Sequence, residues 1–429
     1  MQVVKYPLFK ETFYTEKLPN GLEVNLLPRP KFHQTYATFT ARYGSINNTF
    51  MPLGENKFQT FPKGIAHFLE HKLFEKEDYD AFDIFAKYGA DANAFTSFTR
   101  TSYLFSTADN VLECTEALLD FVQHPYFSER TVEKEKGIIG QEIKMYEDDV
   151  SWQLLFGVIK NLYPGTALTT DIVGSVASIA QITPEMLYTC YHTFYQPQNM
   201  SLFIVGNFEC QQLFQMIQET QQEIEGSKET IRRHKLFTTA PPIIPYAEIK
   251  MDILRPRYGI GVRGNCILKS TQQRLIYKIK LQFLLELLFG EVSTDYQRLY
   301  DAGIIDDSFE YKIQFEKEFR FIFLSVETDH ITETRQGLME ILLNAPEKLK
   351  KQKKVFAIMK KEFLGRYIKE LNPNENIASE FDQWLFGSIT LFDMVPLLQK
   401  ITLNDLVELA SELFKKNEIT EFQILPKKV

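Results

Sequence analysis

Three residues within five positions, His67, Glu70 and His71, carry the side chains needed for metal-assisted hydrolysis. They stand in GIAHFLEHKLF, Gly64 to Phe74, a segment with no helix breaker after its first residue. In a helix, positions i and i+4 lie one turn apart on one side, with i+3 beside them. Two neutral imidazoles can then grip one divalent ion while the carboxylate points at a water next to it. The order H-x-x-E-H reverses H-E-x-x-H, and both are zinc-hydrolase arrangements. The plainer reading is two helical histidines, at the surface or satisfied in the core, that share a face by accident.

A catalytic zinc takes three protein ligands and leaves one position for water. With His67 and His71 as two, the third must come from another element, and Glu142 is the leading candidate. It belongs to SERTVEKEKGIIGQEIKMYEDD, where Ser128 as N-cap and an acidic first turn predict a long helix. Glu135 shares a face with Glu142, two turns earlier. Gly137 and Gly140 each weaken a helix by about 1 kcal/mol relative to alanine. They predict close approach of another backbone. Glu70 would take a proton from the water and return it to a leaving amine. Amide hydrolysis is the natural outcome.

Strands and helices must position these groups. A turn at Pro19-Asn20-Gly21 between alternating segments predicts a hairpin, followed by a strand in TYATFTARYGS. Residues 46–62 read as a loop. Helices are predicted at Tyr79–Tyr88, Asn110–Val122, Asp149–Leu162, Thr183–Phe194 and Glu209–Ile224, with strands in GADANAFTSFTRTSYLFSTA and MSLFIVGNF. A polar, then proline-rich stretch suggests a division into 1–228, a linker at 229–245, and 246–429. The second half begins with strands, EIKMDILRP and YGIGVRG, then a helix from Thr271 to Leu288. Strands are predicted in Asp306–Thr328 and helices at Ile331–Leu343 and Glu347–Lys369. The same succession of strands and helices in both halves hints at duplication.

Composition narrows the function. The 429 residues suit two domains, and 48 Lys+Arg against 56 Asp+Glu give a formal net charge of −8. No broad basic surface for nucleic acid is implied. The lysines of Glu347–Lys369 read as a solvated face. Cys114, Cys190, Cys210 and Cys266 lack C-x-x-C spacing and are expected to be small buried hydrophobes. No apolar run is long enough for a membrane span or signal peptide, so a cytoplasmic setting is expected.

HFLEH at 67–71, Glu135 and Glu142 downstream, DANAFTS at 91–97, YPGT at 163–166 and NMSLFIVGNF at 199–208 resemble the pitrilysin or insulinase family of inverzincins. Within it, the chain is similar to the bacterial short-chain branch and to mitochondrial processing peptidase subunits. That resemblance implies an α+β fold of two homologous αβ-roll domains, each a mostly antiparallel sheet packed with helices, forming half of a clamshell chamber. The first domain would bind one Zn2+ per chain and the second would carry no ligands. Indeed, His330 is the only histidine after His234.

The resemblance assigns His67, His71 and Glu142 as zinc ligands, Glu70 as the base and Glu135 as an acidic residue supporting the site. Asn93 and Ala94 match an edge strand that pairs with extended peptide, a form of strand addition. Arg320 stands about where a substrate-gripping arginine would be; its alternative is an ordinary exposed strand residue. The tyrosine that accompanies that arginine has no clear match. The implied activity is a zinc endopeptidase acting on unfolded peptides or small proteins, paired with a homologous subunit lacking the zinc motif or with a second copy. The alternative is a non-catalytic scaffold or peptide-binding subunit.

Overall fold

The computed structural model describes residues 1–427. The chain opens with strands β1 (Gln2–Tyr6), β2 (Glu11–Lys17), β3 (Glu23–Pro28) and β4 (Thr35–Ala41). Two short strands, β5 (Thr49–Met51) and β6 (Gln59–Thr60), interrupt the predicted loop and lead to helix α1 (Ile65–Phe74). Then come α2 (Ala81–Lys87), β7 (Asp91–Thr96), β8 (Thr101–Thr107), α3 (Val111–Gln123), α4 (Glu129–Asp148) and α5 (Val150–Leu162). After α6 (Val176–Ile179), α7 (Pro184–Phe194), β9 (Met200–Gly206) and α8 (Cys210–Gln221), the strand β10 (Arg232–Arg233) pairs with β5 inside the predicted linker.

The rest begins with β11 (Tyr246–Met251), β12 (Arg257–Arg263), α9 (Thr271–Phe289), α10 (Thr294–Asp301), β13 (Glu310–Phe315) and β14 (Arg320–Glu327). It continues through α11 (Ile331–Lys350), α12 (Lys353–Glu370), α13 (Asn374–Ser379), α14 (Gln383–Phe386), α15 (Leu391–Lys400) and α16 (Leu403–Leu413) to β15 (Ile419–Pro426). Helix α11 runs past its predicted end and through Pro346, because Ala345 and Leu349 bury completely on its far side. That burial offsets a proline cost of about 3 kcal/mol. The predicted single helix at 347–369 is thus the end of α11 and all of α12, divided at Lys351 and Gln352.

The chain divides into two compact units. The first comprises Met1–Lys144, Thr170–Leu236 and Glu370–Phe392; the second comprises Met145–Thr169, Phe237–Lys369 and, of the described residues, 393–427. In the first, seven strands run in the order β1-β2-β3-β9-β4-β8-β7. In the second, five run β11-β15-β12-β14-β13. Every pair is antiparallel except β3 with β9 and β11 with β15. The last five strands of the first order repeat the second: first strand, last strand, second, fourth, third. The duplication hinted at in the sequence is therefore present in the topology, and the fold is α+β as expected.

Neither unit is continuous in sequence, which differs from the division into 1–228 and 246–429. Helix α5 packs on β12 and β15 of the second unit, while α13 packs on β4 and β9 of the first. Each half lends the other a helix that covers its sheet. In the second unit a Cβ on Gly157 would lie 2.4 Å from the Phe422 ring, and one on Gly261 would lie 2.4 Å from Val158. Close helix–sheet packing in this protein occurs there. At Gly137 and Gly140 a Cβ would meet nothing within 4 Å, so the approach expected from those glycines is not made.

Two of the four cysteines depart from the core role. Cys114 and Cys190 are buried, with thiols pushed by burial up to about 11 and about 12, whereas Cys210 and Cys266 are half-buried. No disulfide joins any of them.

Candidate metal centre

Helix α1 begins at Gly64, which adopts φ +88°, the left-handed region that favours glycine. A Cβ there would sit 2.4 Å from the Val173 carbonyl oxygen, so both conformation and space demand glycine. Ile65, Ala66, Phe68, Leu69 and Leu73 bury the apolar side of α1. His67, Glu70 and His71 occupy the remaining side. His67 and Glu70 are each 7% exposed, and the two imidazole rings lie 4.5 Å apart.

Helix α4 starts as predicted, with the Ser128 hydroxyl accepting the Thr131 N–H. Its buried stripe runs through Thr131, Val132, Glu135, Ile139 and Ile143. That stripe carries Glu135 to His71, where Oε1 lies 3.1 Å from Nδ1. Two turns later Glu142 reaches both imidazoles, Oε1 at 3.5 Å from His67 Nε2 and Oε2 at 3.7 Å from His71 Nε2. All three candidate ligand atoms lie within 4.8 Å of one another. Zinc bonds of about 2.0–2.1 Å in a tetrahedron set neighbouring ligands about 3.4 Å apart. The residues present therefore fit a zinc ion, in donor type and in spacing.

The two imidazoles are supported differently. His71 has Glu135 behind it, as metal-bound imidazoles usually have a carboxylate or carbonyl. His67 Nδ1 is buried without a protein hydrogen-bond partner. Burial tends to lower the His71 pKa, but Glu135, with Glu70 and Glu142, carries it above its ordinary value. The cluster holds three carboxylates against two imidazoles. A bound cation would relieve that imbalance.

Glu70 lies beside the ligands, its Oε2 accepting a 2.5 Å hydrogen bond from the Thr96 hydroxyl. Desolvation raises its pKa, opposed by His67, by the Thr96 bond and by His71. A raised carboxylate is suited to taking up a proton and giving it back. Thr96 ends β7, the outermost strand of its sheet. Glu70, His71, Glu135, Asn93, Ala94 and Phe82 border one cleft of about 610 Å³. Asn93 is exposed on β7, and its Oδ1 accepts the Ala94 N–H at 2.8 Å.

The sequence-predicted residues thus fall into two groups. His67, Glu70, His71, Glu135, Glu142, Asn93 and Ala94 share the first unit, around one cleft or its edge. Arg320 belongs to the second unit and is 6% exposed, so it is not an exposed strand residue. Its Nη1 donates to the Cys266 carbonyl at 2.5 Å, and its guanidinium stands over Tyr277 and Phe315. The cluster member that sequence reasoning missed is Thr96. It stood two residues past the noted Ala94, and only its side-chain direction reveals it.

Residues 59–174 match the insulinase (peptidase family M16) domain, and residues 181–362 match the peptidase M16 inactive domain. A Bacillus subtilis protein described as the uncharacterized zinc protease YmfH is 43% identical over 425 residues, covering 99% of each chain. The chain belongs to the M16 peptidase family. A crystal structure described as that of a "putative M16-like peptidase from Alicyclobacillus acidocaldarius" superposes with a TM-score of 0.89 at 30% identity, over 97% of this chain and 99% of that one. An Arabidopsis thaliana protein described as "Probable mitochondrial-processing peptidase subunit beta, mitochondrial" is 23% identical over 255 residues, 58% of this chain and 46% of its own. Residues 181–362, matched by the inactive-domain model, contain no H-x-x-E-H. Among the described residues, no helix is long and apolar enough to cross a membrane.

Proposed function

We propose that this M16 chain is a zinc-dependent endopeptidase for extended peptides or small unfolded proteins. The observation that carries this reading is the convergence of His67 Nε2, His71 Nε2 and the Glu142 carboxylate beside Glu70. Zinc, when bound by these three, would polarise the scissile carbonyl and acidify a water. Every other part falls to the chain. Glu70 takes a proton from the attacking water and delivers it to the leaving nitrogen. Glu135 fixes the His71 ring through Nδ1. The β7 edge at Asn93 and Ala94 aligns the peptide as an added strand.

Pairing with a homologous subunit that lacks the zinc motif completes the chamber in this reading, with a second copy as the other arrangement. The relative named as a subunit supports it. The deciding experiment replaces Glu70 by Gln. Zinc content is expected to stay near one per chain while peptide cleavage falls by at least about 10²-fold. Undiminished cleavage by the variant would overturn the mechanism.

A further inference from the structure

A general base needs a fixed direction, and the terminal torsion of a glutamate is soft. Glu70 is buried, and a hydroxyl restrains that torsion. The Thr96 Oγ1 lies 2.5 Å from Glu70 Oε2. It also lies 3.3 Å from the Thr101 Oγ1, directly opposite it in the β7–β8 register. The Thr101 hydroxyl is itself committed to the Tyr43 carbonyl at 2.9 Å, and both Thr101 and Tyr43 are completely buried. A threonine hydroxyl has one proton. With the Thr101 proton given to Tyr43, the Thr96 proton is left for the carboxylate, the stronger acceptor.

We propose that Thr96 is a positioning residue for the Glu70 carboxylate, and that it ties the base to the strand that receives the substrate. This rests on the peptidase reading above and deepens it. Asn93 and Ala94 lie on the same short strand and border the same cleft as Glu70. A peptide added to that edge is placed by β7, and so is the base. One rigid element thus fixes the scissile bond and the proton acceptor in a common frame, which is what catalysis by orientation requires.

The test compares Thr96→Val, Thr96→Ser and Glu70→Gln in the full-length, zinc-loaded protein, with its partner subunit where activity needs one. The valine variant is expected to lower kcat about 10- to 100-fold, since misplacing a reacting group by about 1 Å can cost about 10²-fold. KM and zinc content stay unchanged, and the serine variant recovers most of the loss. In a crystal structure of metal-free Thr96→Val protein, the Glu70 carboxylate leaves its present orientation. Wild-type kcat in Thr96→Val, equal impairment in Thr96→Ser, a loss through KM alone, or an unmoved carboxylate overturns the proposal. Should Thr96→Val fail to fold, Thr96→Ala against Thr96→Ser makes the same comparison. Full activity of Glu70→Gln would instead remove the peptidase reading, and this inference with it.

Discussion

His71 is held from both sides: its Nδ1 lies 3.1 Å from Glu135 Oε1 and its Nε2 lies 3.7 Å from Glu142 Oε2. One helix, α4, supplies both carboxylates, so its placement decides the orientation of the ring. Replacing Glu135 by Gln keeps the shape and removes the charge. Zinc affinity is expected to fall about 10- to 100-fold, the usual result when a carboxylate behind a metal-bound imidazole is lost. Competition with a chelator of known affinity measures it; unchanged affinity would show that Glu135 only packs.

Removing a ligand has a larger effect. His67→Ala, His71→Ala and Glu142→Ala each leave two of three protein donors. Each variant is expected to copurify with well under one zinc per chain, read by atomic absorption, and to lose peptide cleavage. Because the cluster concentrates carboxylates, zinc-free Glu142→Ala is expected to match or exceed the melting temperature of the zinc-free parent. A clear loss of stability in that comparison would show that Glu142 is held for packing.

Gly64 sets the start of α1. Alanine there must adopt φ +88° with its Cβ 2.4 Å from the Val173 carbonyl oxygen. The expected loss is about 1–3 kcal/mol, the range for a strained non-glycine backbone. Denaturant unfolding measures it, and a cost below about 0.5 kcal/mol, the ordinary range of neutral surface changes, would contradict the geometry.

Lys76 provides a pH signature. Its ammonium donates to the carbonyls of Phe121 and His124, each at 2.6 Å, yet burial lowers its pKa from 10.5 to about 8. Between those values the unfolded chain binds more protons than the folded one. Stability should therefore rise with pH from about 8 towards 10.5, by about 3 kcal/mol from this group alone. Ionising tyrosines act on the whole protein in the same range, so the measurement is the difference between wild type and Lys76→Met. The variant is expected to lack the rise; parallel pH curves would refute it.

Assembly is tested by activity against dilution. Under the paired-subunit reading, the isolated chain cleaves peptides weakly and gains activity with a homologous subunit lacking H-x-x-E-H. Light scattering on the active species should report a dimer. Full activity from a strict monomer would end that reading.

The sequence by itself determined the local chemistry. His67, Glu70 and His71 share a helical face because four residues nearly complete a turn, and Glu135 and Glu142 share another for the same reason. Periodicity gave the longer strands and helices between residues 11 and 369 and a hint of the repeated succession, whereas β1, α10, α13 to α16 and β15 were not legible in it. Tertiary structure decided what periodicity cannot encode. Which sheet a helix covers depends on distant surfaces, so the crossing of α5 and α13 from one half of the sequence to the unit built mainly by the other was not legible. Glycine marks permission for close approach without naming a neighbour: Gly157 has one and Gly137 has none. Arg320 took a buried place over Tyr277, a contact 43 positions apart in sequence. Thr96 reached Glu70 because β7 happens to end beside α1, and only the folded chain brings that hydroxyl within 2.5 Å of the carboxylate.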